Sequence, residues 1–422
     1  MNRSLEMLFI LFTAITVLQT VTGVDIFETE RTLYNGFSVL RTEDTDEPLI
    51  EAIRSSTEVW KVTVDNATYL DILVKPELQN MIEQLLNCAN MSYTTLIQDL
   101  QKAIDLENEE SDEVAVASFK TSCATTSGMS WTQYQSYDTI SSYMDCLGSQ
   151  YGYIAQLYTI GSSSEGRPLK VIKIGTEGRG QRKQSIWIDG GIHAREWISP
   201  AAVSYLLMEL VENTNTHSDL LNQYDVYVMP VMNPDGYEYT RESNRMWRKT
   251  RSLNRGSSCR GVDPNRNFGY EWGGKGTSQD PCSDIYRGSS AFSEPETQAV
   301  RDFITARKRN IKMYLTFHSY GQMVLYPWGY DAVDHRDENE LDRVGRIGSR
   351  AAGNKYTVGS AAKVLYPAAG GSDDWAMSEG IKFSYTIELP DTGSHGFILP
   401  ANQIIPVSKE ALQAVKSMAD SI

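Results

Sequence analysis

The feature that most constrains the fold is an alternation, beginning after residue 120, between short apolar runs and segments in which apolar residues have helical spacing. The apolar runs lie at 185–190, 226–232, 313–317 and 383–389, and the helical segments lie at 199–212, 294–307 and 408–422. Strands that alternate with helices are typical of an α/β domain. We therefore expect an α/β fold in which helices flank a mixed, mostly parallel central sheet.

Three of the apolar runs lead into a side chain that can bind a metal or move a proton. His193 closely follows the first run, His318 directly follows the third, and Glu388 lies near the end of the fourth. The chain has five histidines, all after residue 120, so their placement is informative. In open α/β sheets the ligand crevice lies at the carboxyl ends of the strands, so we expect these side chains to meet there.

Two imidazoles and one carboxylate around an open fourth position form a catalytic zinc site. Glu196 supplies the carboxylate, because one turn of chain separates it from His193 and brings both side chains to one face. Glu388 is then the candidate general base. Each of these residues taken singly is more often structural or solvated, so the interpretation depends on their joint pattern. The HExxH helix of other zinc peptidases is absent from the sequence, which excludes that class.

The first residues have the features of a secretory signal peptide. An apolar stretch at 7–18 follows Arg3, and short residues at 21–23 predict cleavage after Gly23. A membrane span needs about 20 apolar residues, so we expect a secreted, extracellular protein that is not anchored in the membrane. Asn66 and Asn90 begin tripeptides that accept N-linked glycans in such proteins.

Nearly all of the net charge of −15 lies in one segment that precedes the α/β pattern. Residues 24–120 hold 20 acidic and 7 basic side chains, a net of −13, and residues 121–422 hold 33 acidic and 31 basic ones, a net of −2. The segment ends in an acidic run at 107–113, typical of an exposed linker. Lys120 follows, where a trypsin-like protease would cleave. We predict a signal peptide at 1–23, an activation domain at 24–120 and a catalytic domain at 121–422.

Within the acidic segment, the pattern predicts a small α+β unit. It has strands at 56–63 and 69–74 and helices at 76–87 and 93–106. The acidic balance of the whole chain argues against a nucleic-acid partner.

The cysteines can be read as disulfides if the protein is secreted into an oxidising compartment. Cys123 and Cys146 are separated by the same number of residues as Cys259 and Cys282, which leaves Cys88 alone. Four cysteines allow three connectivities, so spacing favours this pairing without excluding the others.

The segment 189–198, DGGIHAREWI, resembles the first zinc motif of the secreted metallocarboxypeptidases of the pancreatic A/B type. Further motifs follow in family order along essentially the whole chain: EGRP at 165–168, NPDGY at 233–237, NRMWRK at 244–249, DPNRN at 263–267, HSY at 318–320, GGSDDW at 370–375 and EL at 388–389. The resemblance implies the metallocarboxypeptidase fold. It also implies that 24–120 is the activation domain, which caps the active site until proteolysis.

The same resemblance assigns roles to the candidate residues. It implies that His193, Glu196 and His318 bind one zinc ion, that Glu388 activates the water bound to the metal, and that Arg248 polarises the scissile carbonyl. It further implies that Asn265 and Arg266 hold the substrate's terminal carboxylate and that Tyr366 closes on the bound substrate. More peripheral subsite residues are Arg195, Tyr320 and Phe397. Cys259–Cys282 matches a family disulfide, whereas Cys123–Cys146 rests on spacing alone.

Asp373 lies at the position that forms the floor of the side-chain pocket in this family. An acid there is the pattern of the B-type enzymes, which remove C-terminal Lys or Arg, since a buried carboxylate would pair with the incoming cation. The alternative without a pocket role is that Asp373 faces solvent and that Asp374 or neither residue contacts substrate. We expect a zymogen that, once cleaved by a trypsin-like protease, trims basic C-termini. The alternatives are an A-type enzyme for aliphatic or aromatic residues and a catalytically inactive binding protein.

Overall fold

The computed structural model describes residues 31–43, 53, 57–63, 69–107, 122–175 and 183–422. The chain divides into two compact units, one that ends at Asp105 and one that begins at Leu106. The predicted signal peptide, Asn66 and Lys120 lie outside the described residues. Asn90 is exposed. Among the helices that are described, none has the length and apolar character that crossing a bilayer requires.

The first unit contains an antiparallel sheet of four strands in the order β2-β3-β1-β4. Its strands and helices are β1 (Ser38–Glu43), β2 (Glu58–Thr63), β3 (Tyr69–Val74), a 3-10 turn (Pro76–Leu78), α1 (Gln79–Cys88), β4 (Tyr93–Ile97) and α2 (Leu100–Leu106). The predicted strands are therefore present at 58–63 and 69–74, and the first predicted helix ends one residue later than expected.

The predicted helix at 93–106 is wrong in its first half. Residues Tyr93–Ile97 form a strand that pairs with β1 in antiparallel register, and the helix begins only at Leu100. The sequence YTTLI is rich in aromatic and β-branched residues, which favour strands. Because β1 offers this segment a partner, pairing overrides the helical spacing of its apolar residues.

The second unit is built on an eight-stranded mixed sheet, in the order β11-β10-β12-β9-β7-β8-β6-β5. Its strands are β5 (Ala155–Ser162), β6 (Pro168–Ile174), β7 (Gln184–Asp189), β8 (Tyr224–Met229), β9 (Ile311–Ser319), β10 (Met323–Tyr326), β11 (Thr357–Ser360) and β12 (Phe383–Leu389). The central strands β12, β9, β7 and β8 are mutually parallel, and β5, β6 and β10 join their neighbours on the central side in antiparallel register. The expected α/β fold with a mixed, mostly parallel sheet is confirmed.

Helices cover both faces of this sheet. They are α3 (Ser122–Ser127), α4 (Tyr137–Gln150), α5 (Ile198–Glu212), α6 (Ser218–Gln223), α7 (Pro234–Glu242), α8 (Pro295–Thr305), α9 (Glu338–Ala351), α10 (Ala361–Val364), α11 (Ser372–Ser378) and α12 (Ile404–Ala419). Alternate residues of one strand belong to different cores: Ile186 and Ile188 of β7 pack with α5 and α12, and Trp187 packs with α8 and α11. Burial on both faces explains why the sequence of β7 reads as a continuous apolar run.

Two disulfides pair the cysteines as spacing predicts. They join Cys123 to Cys146 and Cys259 to Cys282, and Cys88 is free and exposed. Glu107 was expected to begin an exposed linker, but it is 2% exposed. Its carboxylate accepts two hydrogen bonds from Arg245, at 2.8 and 2.5 Å. The prediction is wrong at this residue because a buried cation, distant in sequence, supplies the partner that makes burial of the acid favourable.

Candidate active site

Three buried side chains converge at the carboxyl ends of β7 and β9. His193 Nδ1 lies 2.8 Å from Glu196 Oε1, and His318 Nδ1 lies 3.2 Å from Glu196 Oε2. The two Nδ1 atoms are 3.2 Å apart. We refer to these three residues, which are the predicted metal ligands, as the ligand triad. The structure thus brings together two strand ends that are 125 residues apart in the sequence.

The donor set of the ligand triad fits a zinc ion. Tetrahedral zinc with Zn–N bonds of about 2.0–2.1 Å places two ligand nitrogens about 3.3 Å apart, close to the 3.2 Å between the Nδ1 atoms. Burial raises the pKa of Glu196, but the charges of His193 and His318 lower it to below its usual range. Burial also lowers the pKa of His193, which favours the neutral imidazole that a metal requires.

A tight turn carries His193 and Glu196 to the same point. Gly191 has a φ of 65°, in the left-handed region that glycine adopts without strain. The N–H of Glu196 donates to the carbonyl of His193 at 3.4 Å. The single turn predicted from the spacing is present, but helix α5 begins only at Ile198.

Glu388 lies beside the ligand triad because of the register of the sheet. It pairs with His318 across the parallel strands β12 and β9, so both side chains point to one face, with backbones about 5 Å apart. Burial lowers the pKa of His318, but the charges of Glu196 and Glu388 raise it to about 9. A half-buried carboxylate next to a predicted metal ligand can act as a proton acceptor for a water at the same site.

Asp263 connects the ligand triad to Arg248. Its Oδ1 lies 3.2 Å from His193 Nε2, and its Oδ2 accepts hydrogen bonds from Nε and Nη2 of Arg248 at 3.0 and 2.9 Å. Nη1 of Arg248 is 4.0 Å from Glu196. Burial raises the pKa of Asp263, but the charges of Arg248 and His193 hold it well below its usual range. Asp263 therefore fixes the orientation of an imidazole and of a guanidinium.

Sequence reasoning assigned no role to Asp263, although it is the first residue of the DPNRN motif. Ligand histidines almost always donate their second ring N–H to a carboxylate or carbonyl. That rule was the available signal, but a partner 70 residues distant cannot be selected by spacing alone.

Asn265, Arg266 and Tyr366 lie together. The Asn265 side-chain oxygen accepts from the N–H of Ser372 at 2.9 Å, so the amide NH₂ is left to donate elsewhere. Arg266 donates to the carbonyls of Gly276 and Asn265, each at 2.9 Å. Its Nη2 lies 3.4 Å from the Tyr366 hydroxyl. One amide, one guanidinium and one phenol thus form a single group of donors.

Two adjacent acids at the start of α11, Asp373 and Asp374, are buried in different ways. Thr386 Oγ1 donates to Asp373 Oδ2 at 3.0 Å. Both oxygens of Asp374 accept backbone N–H groups, from Gly329 and Tyr330, at 2.8 Å each. Asp373 is 6% exposed, so the alternative that it faces solvent is excluded. Burial raises the pKa of Asp373, and burial together with the charge of Asp373 raises that of Asp374 well above its usual value.

The three residues expected at peripheral subsites also form one cluster. The guanidinium of Arg195 lies 4.5 Å from the centre of the Phe397 ring, and the rings of Phe397 and Tyr320 are 5.0 Å apart. Arg195 Nη1 donates to the carbonyl of Met246 at 3.2 Å.

Comparison with known proteins agrees with this geometry. Residues 140–414 match the family described as zinc carboxypeptidase, and residues 46–107 match the carboxypeptidase activation peptide. The chain is 48% identical to carboxypeptidase B of Astacus astacus over 301 residues, which cover 70% of this chain and 98% of that protein. It is 36% identical to carboxypeptidase A1 of Mus musculus over 400 residues, which cover 91% of this chain and 93% of that protein.

A similar solved structure is that of thrombin activatable fibrinolysis inhibitor. The two chains share 34% identity and superpose with a TM-score of 0.79, covering 91% of this chain and 98% of the other. The similarity therefore includes both the zinc carboxypeptidase segment and the activation peptide.

Proposed function

The chain belongs to the zinc carboxypeptidase family, and we propose that it is a B-type member that releases C-terminal Lys or Arg from peptides and proteins. It is a zinc-dependent peptide hydrolase that carries an activation peptide. Its relatives include both B-type and A-type enzymes. The proposed side-chain preference therefore rests on the pocket residues of this chain.

The observation that carries the proposal is the buried carboxylate of Asp373. Thr386 satisfies one of its oxygens, and within the described residues no Lys or Arg forms an ion pair with it. An ammonium or guanidinium group from the substrate would supply the missing charge. An apolar side chain would leave the buried acid unpaired, at a cost of roughly 3–5 kcal/mol relative to the pair.

Asp374 is a poorer candidate for substrate contact. Each of its oxygens already accepts a backbone N–H, from Gly329 or Tyr330. Its hydrogen bonds hold the loop after β10 against α11, which is a structural role. Among the residues that the structure describes, Asp373 has no such pair of contacts with the loop after β10, and in our proposal it is the acid that contacts substrate.

The remaining residues support carboxypeptidase chemistry. In our proposal the Asn265 amide and the Arg266 guanidinium bind the terminal carboxylate, which restricts cleavage to the last peptide bond. Tyr366, 3.4 Å from Arg266, covers the bound residue. Arg248, held by Asp263, stabilises negative charge that develops on the scissile carbonyl oxygen.

Glu388 acts as the general base. It takes a proton from the attacking water and returns it to the leaving amine. A zinc ion bound by the ligand triad would polarise the carbonyl and increase the acidity of the water. His193, Glu196 and His318 are the residues that would bind it.

We also propose that the protein is a secreted zymogen. The predicted signal peptide and the two disulfides support export to an oxidising compartment. The activation peptide supports inhibition of the uncleaved precursor, with release by a trypsin-like protease that cleaves near Lys120.

The experiment is to treat the purified precursor with trypsin and to assay peptides that end in Arg, Lys or Leu, with and without a zinc chelator. We expect rapid release of Arg and Lys, slow release of Leu, and loss of activity with the chelator. Faster release of Leu would overturn the B-type proposal. Full activity in the uncleaved, zinc-loaded precursor would overturn the zymogen proposal.

A further inference from the structure

Two polar side chains without an assigned role lie behind His318, on the side away from the ligand triad. Thr316 Oγ1 is 3.4 Å from His318 Nε2 and 2.7 Å from Asp189 Oδ1. Trp187 Nε1 donates to the other oxygen of Asp189 at 2.6 Å. Trp187, Asp189 and Thr316 are 0% exposed and His318 is 1% exposed, so water does not compete for these contacts.

The directions of these hydrogen bonds follow from the role of His318 as a ligand. Its Nδ1 lies in the triad, 3.2 Å from Glu196, and must present a lone pair to a metal. The ring proton is therefore on Nε2, which donates to Thr316 Oγ1. The single hydroxyl proton of Thr316 is then directed to Asp189 Oδ1. The chain of contacts runs from imidazole through hydroxyl to carboxylate.

The sheet fixes this arrangement. Thr316 and His318 are two residues apart in β9, so their side chains point to one face. Asp189 is paired with Thr316 across the parallel strands β7 and β9. Register alone therefore stacks the carboxylate, the hydroxyl and the imidazole in a row.

We propose that Thr316 and Asp189 are positioning residues that hold the metal ligand His318 in its metal-binding orientation and tautomer. The two imidazoles of the triad are then supported in two ways. His193 contacts the carboxylate of Asp263 directly, at 3.2 Å. His318 reaches its carboxylate, Asp189, through the interposed hydroxyl of Thr316. Mutation of a residue that forms a hydrogen bond with a metal ligand typically weakens metal binding by 10- to 100-fold.

The test compares Thr316→Val, which removes the hydroxyl at nearly constant shape, with Thr316→Ser, which keeps it. The zinc dissociation constant of the full chain is measured by competition with a chelator, and the unfolding temperature of the metal-free protein is measured alongside. We expect roughly 10- to 100-fold weaker zinc binding for the valine variant and near wild-type binding for the serine variant. Equal zinc binding by the valine variant and the wild type would overturn the proposal, and so would equal losses in both variants.

A spectroscopic measurement on the unaltered zinc-loaded protein decides the case in which the valine variant does not fold. In ¹H–¹⁵N NMR spectra, the ring proton of His318 should reside on Nε2 and exchange slowly with solvent, as expected for a buried donor. An Nε2 without a bound proton, or one whose proton exchanges as fast as that of an exposed histidine, would overturn the proposal.

Discussion

Buried carboxylates at the two ends of the site are neutralised in different ways. In the ligand triad Glu196 lies between two imidazoles, and beside the triad Asp263 is paired with the Arg248 guanidinium. At the proposed side-chain pocket, Asp373 and Asp374 accept hydrogen bonds, but within the described residues no Lys or Arg forms an ion pair with either. The buried carboxylates of the metal centre therefore have positively charged or imidazole partners within the chain, whereas those of the proposed pocket have no Lys or Arg partner in the part of the chain that the structure describes.

The pKa shifts follow this difference. Arg248 and His193 hold the pKa of Asp263 well below its usual range despite burial, whereas burial raises the pKa of Asp373. The ionised form of a buried acid that has no cationic partner is unfavourable in the free enzyme. Binding of a positively charged group would remove that cost. In our proposal, a cationic substrate side chain supplies the missing positive charge, and the cost of burying Asp373 thereby favours basic over apolar substrates.

The largest expected effect is at the metal end. Glu388→Gln removes the proposed proton acceptor while leaving the ligand triad unchanged. We expect kcat to fall by about 10²- to 10⁴-fold, measured on an Arg-terminated peptide after activation, with one zinc per chain retained. As a matched control, Glu379→Gln alters a partly buried surface acid, paired with Lys308 at 2.6 Å, and should leave kcat unchanged. Survival of turnover in Glu388→Gln would show that the base is another group.

A buried acid that belongs to neither the ligand triad nor the proposed pocket tests the comparison independently. Glu296 is 0% exposed, and its Oε1 accepts the N–H of Ser164 at 2.9 Å. Burial, opposed by backbone hydrogen bonds and reinforced by the charges of Glu294 and Asp235, raises its pKa to about 7. As for Asp373 and Asp374, burial disfavours the ionised form of Glu296, but we expect no substrate group to pair with this carboxylate.

The sign of the pH effect follows from that raised pKa. The unfolded chain releases the Glu296 proton near pH 4.3, whereas the folded protein retains it to about pH 7. Wild-type stability should therefore fall, relative to Glu296→Gln, as pH rises between these values. At pH 8 we expect the Gln variant to be more stable by about 3 kcal/mol, and at pH 4 to be about equal. Denaturant unfolding at both pH values measures this, and a difference that does not vary with pH would contradict it.

A smaller effect is expected when the carboxylate of Asp263, which is paired with Arg248, is replaced by a neutral amide. Asp263→Asn keeps an acceptor for His193 Nε2 but deprives Arg248 of its anion. We expect zinc affinity to weaken by roughly 10- to 100-fold, measured by chelator competition. Because Arg248 loses its anchor, kcat/KM should fall more than zinc loading alone explains. Unchanged zinc affinity would show that the contact to His193 is not needed to hold the metal.

Much of the fold could be predicted because the central strands are apolar on both faces. Strands β7, β9 and β12 lie close to the predicted positions. Because they are parallel neighbours, their carboxyl ends meet at one edge of the sheet, which makes the ligand triad predictable. Predictions from local sequence patterns were wrong where a partner distant in the sequence determines the structure. Tyr93–Ile97 is a strand because β1 pairs with it, and Glu107 is buried because Arg245, 138 residues away, completes its charge.

The same reason limits prediction of the site. His193, Glu196 and His318 follow from motifs, since each motif contains its ligand. The roles of Asp263, Thr316 and Asp189 depend on which side chain stands behind which imidazole. That information is fixed by the register between β7 and β9 and by the loop that contains Asp263. Neither can be obtained from spacing along the chain.

The most direct test of the central claim is the kcat/KM for an Arg-terminated and a Leu-terminated peptide, measured for the activated wild type and for Asp373→Asn. We predict that the wild type strongly prefers Arg. The variant should lose roughly 30- to 1,000-fold on the Arg peptide, which corresponds to about 2–4 kcal/mol, with little change for Leu. A wild type that releases Leu as fast as Arg, or a preference that Asp373→Asn leaves unchanged, would contradict the claim that the substrate completes the pocket charge.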